Sequence, residues 1–191
     1  MNLAFNFQDK LLWIQNFLPQ NLYKEMYVNI IKSRNNLNYD ETTVNWRTFK
    51  EEQENMSTSY GQSDSNQEIM KYLFKYHTLL KYQQYVNLID LYFESHLRKY
   101  NYGQHLGWHD DSYISKSSDR KYAATFFFNK TWGESWGGEL MFKSSEGSGF
   151  IPLVGNSVVI VKCGLRHKVN PNLKKTHPRF SIQTWIDCNK S

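Results

Sequence analysis

Beyond about residue 96 the sequence breaks into short runs of aromatic and β-branched residues, each closed by turn-forming residues. That pattern limits what the chain can fold into more than any other feature. 'YAATFFF', 'ELMFK', 'SVVIVK' and 'RFSIQTWI' are bounded by Gly, Asn, Ser or Pro, as expected of strands in a β-rich core. The last run is the most informative. Alternation along it places Arg179, Ser181, Gln183 and Trp185 on one face and Phe180, Ile182, Thr184 and Ile186 on the other. The apolar set suits packing against helices, and the mixed polar set suits the wall of a cavity.

The first half predicts helices. Leu11, Leu12, Ile14, Phe17 and Leu18 form a short apolar face that Pro19 interrupts. A second helix starts near Asn21, with Tyr23, Tyr27, Ile30 and Ile31 at helical spacing, and 'SRNNLNYDE' ends it. Residues 50–68 are polar and read as a loop. Ile69, Leu73, Tyr76 and Leu80 mark a third helix, and Tyr85, Leu88, Ile89 and Tyr92 a further one. Helices first and strands afterwards indicate an α+β fold. At 191 residues the chain is expected to be one domain, with a helical part over 1–95 and a strand-rich core over 96–187.

The formal charge is +5, and the basic residues are spread along the chain, with 'LKKTHPR' the densest patch. No basic arm is present, which argues against a nucleic-acid partner. The two cysteines, Cys163 and Cys188, have no framework spacing. The N-terminus lacks the features of a secretory signal, and no apolar run is long enough to span a bilayer. The expectation is a cytoplasmic setting with free thiols and no membrane partner.

The segment 'HLGWHDDSY' carries the chemistry. In an extended strand His109 and Asp111 project to one face and Asp110 to the other. An imidazole beside a carboxylate is two thirds of the facial arrangement of non-haem iron(II) oxygenases. His167, which follows 'SVVIVKCG', is the candidate third ligand. Three ligands on one octahedral face leave two positions for a chelating 2-oxo acid and one for dioxygen. Arg179, on the polar face of its strand, is the cation that would hold the far carboxylate of 2-oxoglutarate.

From about Leu97 to Ile186 the chain resembles the prolyl-4-hydroxylase-like branch of the 2-oxoglutarate and iron(II) dioxygenases. Five blocks in order carry the likeness: Tyr100 with Gly103 and Gln104 before His109 and Asp111; 'TFFFNKTWGESWGGELMF'; 'IPLVGNSVVIV'; 'HKVNP' from His167; and Arg179 ahead of Trp185. The resemblance implies a double-stranded β-helix, or jelly-roll, with helices packed on its major sheet. It implies Fe(II), with 2-oxoglutarate and dioxygen as cosubstrates and ascorbate as reductant. It implies Tyr100 beside the C1 carboxylate and ketone of the cosubstrate, and Arg179 on the C5 carboxylate.

Several relatives carry a Tyr at the position of Phe127, so Thr125, Ser181 or Gln183 would compensate for its missing hydroxyl. Lys175 and His177, in a long loop before Arg179, are rivals for the carboxylate. Asp111 argues for hydroxylation, because the halogenating branch has Gly or Ala there. Tyr113, in the loop after Asp111, together with Trp132 and Trp185, is a candidate for substrate contact or a lid. His105 would share the face of His109, but a purely structural place is favoured over a role at the rim of the site. The reading is a hydroxylase of an unactivated C–H bond, probing first a prolyl residue of a peptide or protein. Free proline or another amino acid is the alternative, and a catalytically idle jelly-roll the non-enzyme alternative.

Overall fold

The computed structural model describes residues 2–8, 10–33, 40–42, 58–61, 91–112 and 118–189. Twelve strands and one α-helix lie among these residues. The strands are β1 (Asn2–Phe7), β2 (Leu11–Gln15), β3 (Asp40–Thr42), β4 (Thr58–Gly61), β5 (Leu91–Tyr100), β6 (Leu106–His109), β7 (Ser118–Phe127), β8 (Leu140–Ser144), β9 (Gly147–Ile151), β10 (Ser157–Lys162), β11 (Arg166–Val169) and β12 (Arg179–Asn189). The helix α1 spans Gln20–Ser33. All pairings are antiparallel and form two sheets. The major sheet has the order β1-β2-β10-β7-β12-β5-β4-β3 and the minor sheet the order β6-β11-β8-β9. The core is the jelly-roll that the sequence resemblance implies.

Strand pleat decides which layer each residue joins. On β12, Phe180, Ile182 and Ile186 enter the cluster beneath α1, where Ala124, Phe126, Val158 and Ile160 of β7 and β10 meet them. α1 closes this layer with Tyr23, Met26 and Ile30, and Tyr27 packs at its edge. These positions follow the helical period of the sequence. Alternate residues of the same strands, Phe127, Val159 and Val161, face the minor sheet and join Leu140, Phe142, Ile151 and Leu165. Asn156 fastens the helix entry. Its Oδ1 accepts from the Leu18 amide at 2.8 Å, and its Nδ2 donates to the Leu18 carbonyl at 2.9 Å.

The first half departs from the helical reading in several places. Leu11–Gln15 is a strand, not a helix, and pairs with β10. The cause is burial on both faces: Ile14 and Leu12 meet the layer beneath α1, while Leu11 and Trp13 meet the layer between the sheets. A strand covered on both sides has a continuous apolar run, which periodicity cannot distinguish from a helix. Within the polar 50–68 stretch, Thr58–Gly61 is a strand paired with β5. β5 begins at Leu91, so Tyr92 is in a strand opposite Asp187 rather than in a helix. The helix expected at Ile69–Leu80 and the residues 85–90 lie outside the described residues. No described helix is long and apolar enough to cross a membrane.

Ile182 is fully buried on the central strand β12. Ile182→Ala is expected to cost about 2–5 kcal/mol in a denaturant titration. Phe150→Ala, at a side chain 60% exposed, should change stability by less than about 0.5 kcal/mol.

Candidate metal centre and anion pocket

β6 and β11 are neighbours in the minor sheet, and their register sets His167 directly opposite His109. The two rings lie with centroids 4.2 Å apart. Nδ1 of His109 is 2.8 Å from the Gly107 carbonyl, and Nδ1 of His167 is 2.9 Å from the Leu165 carbonyl. A carbonyl can only accept, so both Nδ1 atoms carry hydrogen and both Nε2 atoms face inward. Asp111 completes the group, with Oδ2 3.1 Å from His167 Nε2 and Oδ1 3.6 Å from His109 Nε2. One ligand atom from each of the three lies within 4.8 Å of the others, and all three residues are buried. Two imidazole nitrogens and one carboxylate on a single side are a donor set that fits Fe(II).

Asp111 does not reach this position by strand alternation. β6 stops at His109, and Asp111 has φ of 55°, in the left-handed region. The turn is pinned on both sides. The Asp110 carbonyl accepts from the Gly164 amide, and the Asp110 carboxylate accepts from the Ser112 amide at 2.9 Å. Asp110 therefore points away from the cluster, as its place next to Asp111 suggests, but through an Asx turn rather than a pleat.

The electrostatics follow from burial and proximity. Burial opposes the Asp111 charge, yet His109, His167 and the indole N–H of Trp185 outweigh it and hold the carboxyl below its usual range. Burial also opposes a charged His167, but the hydrogen bond to Asp111 prevails and raises its pKa. His109 is pushed down to about 4 by burial and by the neighbouring His167. His167 and Asp111 thus favour each other's charged form where a metal ion would bind.

Arg179 is 1% exposed and stands on the β12 face that looks toward the minor sheet. Its Nε donates to the Gly138 carbonyl at 3.0 Å and its Nη1 to Ser181 Oγ at 2.9 Å. Its guanidinium carbon lies 4.8 Å from the Tyr100 ring centre and 5.1 Å from that of Phe127. Burial lowers its pKa to about 10, so it stays charged at neutral pH. Nη2 is buried without a hydrogen-bond partner. A buried cation with an unfilled donor is costly unless an anion completes it.

Other expected residues fall at varied distances from this pocket. Thr125 donates to Gln183 Oε1 at 2.6 Å, so those two satisfy each other across β7 and β12. Trp132 donates from Nε1 to the Gly137 carbonyl at 2.7 Å and packs on the inter-sheet core. His177 is exposed and stacks on Trp136, and Lys175 lies over Tyr102. His105 contacts the Gly103 carbonyl outside the metal cluster. Tyr113 lies outside the described residues. Arg98 and Arg120 carried no motif, yet both are buried with guanidiniums 5.6 and 4.8 Å from the Trp185 ring centre. Only the two-residue alternation that links Arg98 to Tyr100 could have marked it.

Comparison with known proteins agrees with this geometry. Residues 95–187 match the family model of the 2OG-Fe(II) oxygenase superfamily. The matched segment is nearly half of the chain. The fold is similar to that of a Pseudomonas putida prolyl-4-hydroxylase, at 16% identity and TM-score 0.74 over 95% of this chain and 94% of that one. It is also similar to a Trichoplax adhaerens prolyl hydroxylase solved with a peptide fragment of hypoxia inducible factor (15% identity, TM-score 0.71, 93% and 83% covered). A non-haem alpha-ketoglutarate dependent epimerase, SnoN from nogalamycin biosynthesis, shares the fold at 9% identity and TM-score 0.64, with 93% and 78% covered. At such identities the likeness concerns the fold alone. No curated protein sequence matches.

Gly138 has φ of 76°, and a Cβ there would sit 3.1 Å from Arg179 Cδ and 3.3 Å from Trp132. Gly138→Ala is expected to displace Arg179 at a cost of about 1–3 kcal/mol. The 2-oxoglutarate Kd should rise by roughly tenfold while Fe(II) affinity holds, both read by titration calorimetry.

Proposed function

We propose that the chain is a single-domain Fe(II)- and 2-oxoglutarate-dependent dioxygenase that hydroxylates an unactivated C–H bond, with a prolyl residue of a peptide or protein as substrate. The observation that carries the reading is the unfilled, buried Nη2 of Arg179 on the sheet face opposite the His–Asp–His cluster. An oxygenase of this kind needs a metal site and a separate cation for a dicarboxylate, and a binding scaffold needs neither. The structural likeness to two prolyl hydroxylases supports the substrate class.

His109, Asp111 and His167 would hold the iron, and the Gly107 and Leu165 carbonyls keep both Nε2 lone pairs aimed at it. When bound, the iron supplies oxidative decarboxylation of 2-oxoglutarate by dioxygen coupled to hydroxylation, yielding succinate, carbon dioxide and the hydroxylated product. Arg179 would bind the C5 carboxylate through Nη2, with the Ser181 hydroxyl already bonded to the same guanidinium. Tyr100 and Phe127 wall that end and exclude water, which strengthens the charge pairing. The indole N–H of Trp185 adds to the stabilisation of the Asp111 carboxylate. Ascorbate would serve to keep the iron reduced.

One observation favours a second reading, a substrate with a free carboxylate such as proline or another amino acid. Arg98 and Arg120 both lie near the Trp185 ring, and a guanidinium fork suits a carboxylate.

Purified chain with Fe(II), ascorbate and air is expected to convert 2-oxoglutarate to succinate. His109→Ala should abolish both turnover and Fe(II) binding, and Arg179→Ala should raise the 2-oxoglutarate requirement by at least about tenfold. Failure of the wild type to bind either iron or 2-oxoglutarate would remove the oxygenase reading. To separate the substrates, succinate formation is compared with a prolyl peptide blocked at both ends and with free amino acids. The peptide reading predicts stimulation by the blocked peptide that Arg98→Gln leaves nearly unchanged. Stimulation by free amino acids only, with a KM raised by roughly tenfold in Arg98→Gln, would replace it with the second.

A further inference from the structure

The pleat that turns His109 and His167 inward turns their neighbours outward. Trp108 on β6 and Arg166 and Lys168 on β11 therefore share the outer face of the minor sheet, where Lys143 of β8 pairs in register with Arg166. The three cations gather on the indole. Lys143 Nζ is 4.0 Å, Lys168 Nζ 5.2 Å and the Arg166 guanidinium 5.9 Å from its ring centre. Beside them is a hollow of about 550 Å³, lined by Lys10, Lys143, Lys162, Arg166, Ser144 and Ser145 among others.

Charge within this hollow is unbalanced. Glu146 pairs with Lys10 at 2.6 Å. Among the described residues, neither Lys143 nor Lys162 of its lining has an ion-pair partner. The Asp110 carboxylate, close by through the Gly164 amide, is turned to the Ser112 amide. Ammonium groups brought together by folding repel one another, and an anion with several oxygens relieves this. The volume suits a small ligand. Lysines act as point charges, and serine hydroxyls add donors, which together fit the oxygens of a tetrahedral phosphate better than a planar carboxylate.

We propose that this hollow, where the turn from β10 to β11 meets the end of β8 and Lys10, and which is lined by Lys10, Lys143, Lys162 and Arg166, binds a phosphorylated ligand at a site separate from the metal centre. Trp108, gripped by Lys143 and Arg166, holds two of the cations in place along its edge. The site does not depend on the dioxygenase reading.

The test is calorimetric titration of the full chain with pyrophosphate at moderate salt, followed by competition with a single-stranded oligothymidylate. Saturable binding is expected, weakened by roughly tenfold or more in the double variant Lys143→Ala/Lys162→Ala. It should be retained when both lysines become arginine, and unchanged in Arg179→Ala. Competition by the oligonucleotide would identify a phosphodiester chain as the source of the phosphate, and its absence a small phosphorylated metabolite. Four results overturn the proposal: no saturable binding, binding indifferent to the double variant, binding lost with Arg179, or equal binding of a glutamate-rich peptide.

Discussion

Strand β12 lies inside the major sheet between β5 and β7, and its register governs both layers of the molecule. Phe180, Ile182 and Ile186 must meet the helix layer while Arg179, Ser181 and Gln183 look toward the minor sheet. A slip of one residue would put a guanidinium beneath α1 and leave isoleucines around the anion pocket. Paired over ten residues with β5 and nine with β7, β12 is held against such a slip from both sides. The space between the sheets is consequently divided. One part is filled by Phe127, Phe142, Val159 and Leu165, and the other carries buried polar groups.

Those polar groups are arranged so that each imperfection points at a missing partner. In the metal cluster both Nδ1 atoms are satisfied by backbone carbonyls, and the Nε2 atoms converge with a carboxylate. In the anion pocket two donor positions of Arg179 are satisfied within the chain and one is left. A cation would complete the first and an anion the second. Burial makes both needs acute.

Much of this was legible in the sequence where one face of an element differs from the other. The alternation of 'RFSIQTWI' gave both the layer and the cavity wall, and Tyr23, Tyr27 and Ile30 gave α1. His109, Asp111, His167 and Arg179 were marked by residue type and by order. Legibility failed where both faces are alike: Leu11–Gln15 is apolar on each side, so its strand period vanished. It failed again where geometry is local, since Asp111 enters through a left-handed residue that no alternation describes. The basic hollow was hidden for a third reason. Lys10, Lys143, Lys162 and Arg166 come from separate parts of the chain, and only the fold makes them a cluster.

The backbone at Asp111 also bears on how such a site changes over evolutionary time. At φ of 55° a side chain carries strain that glycine lacks, roughly 1 kcal/mol or more. Exchange of Asp111 for glycine would remove a carboxylate from the cluster and relax the turn in a single step, whereas exchange for alanine would remove the carboxylate and keep the strain. The turn therefore tolerates loss of this carboxylate more readily through glycine than through alanine.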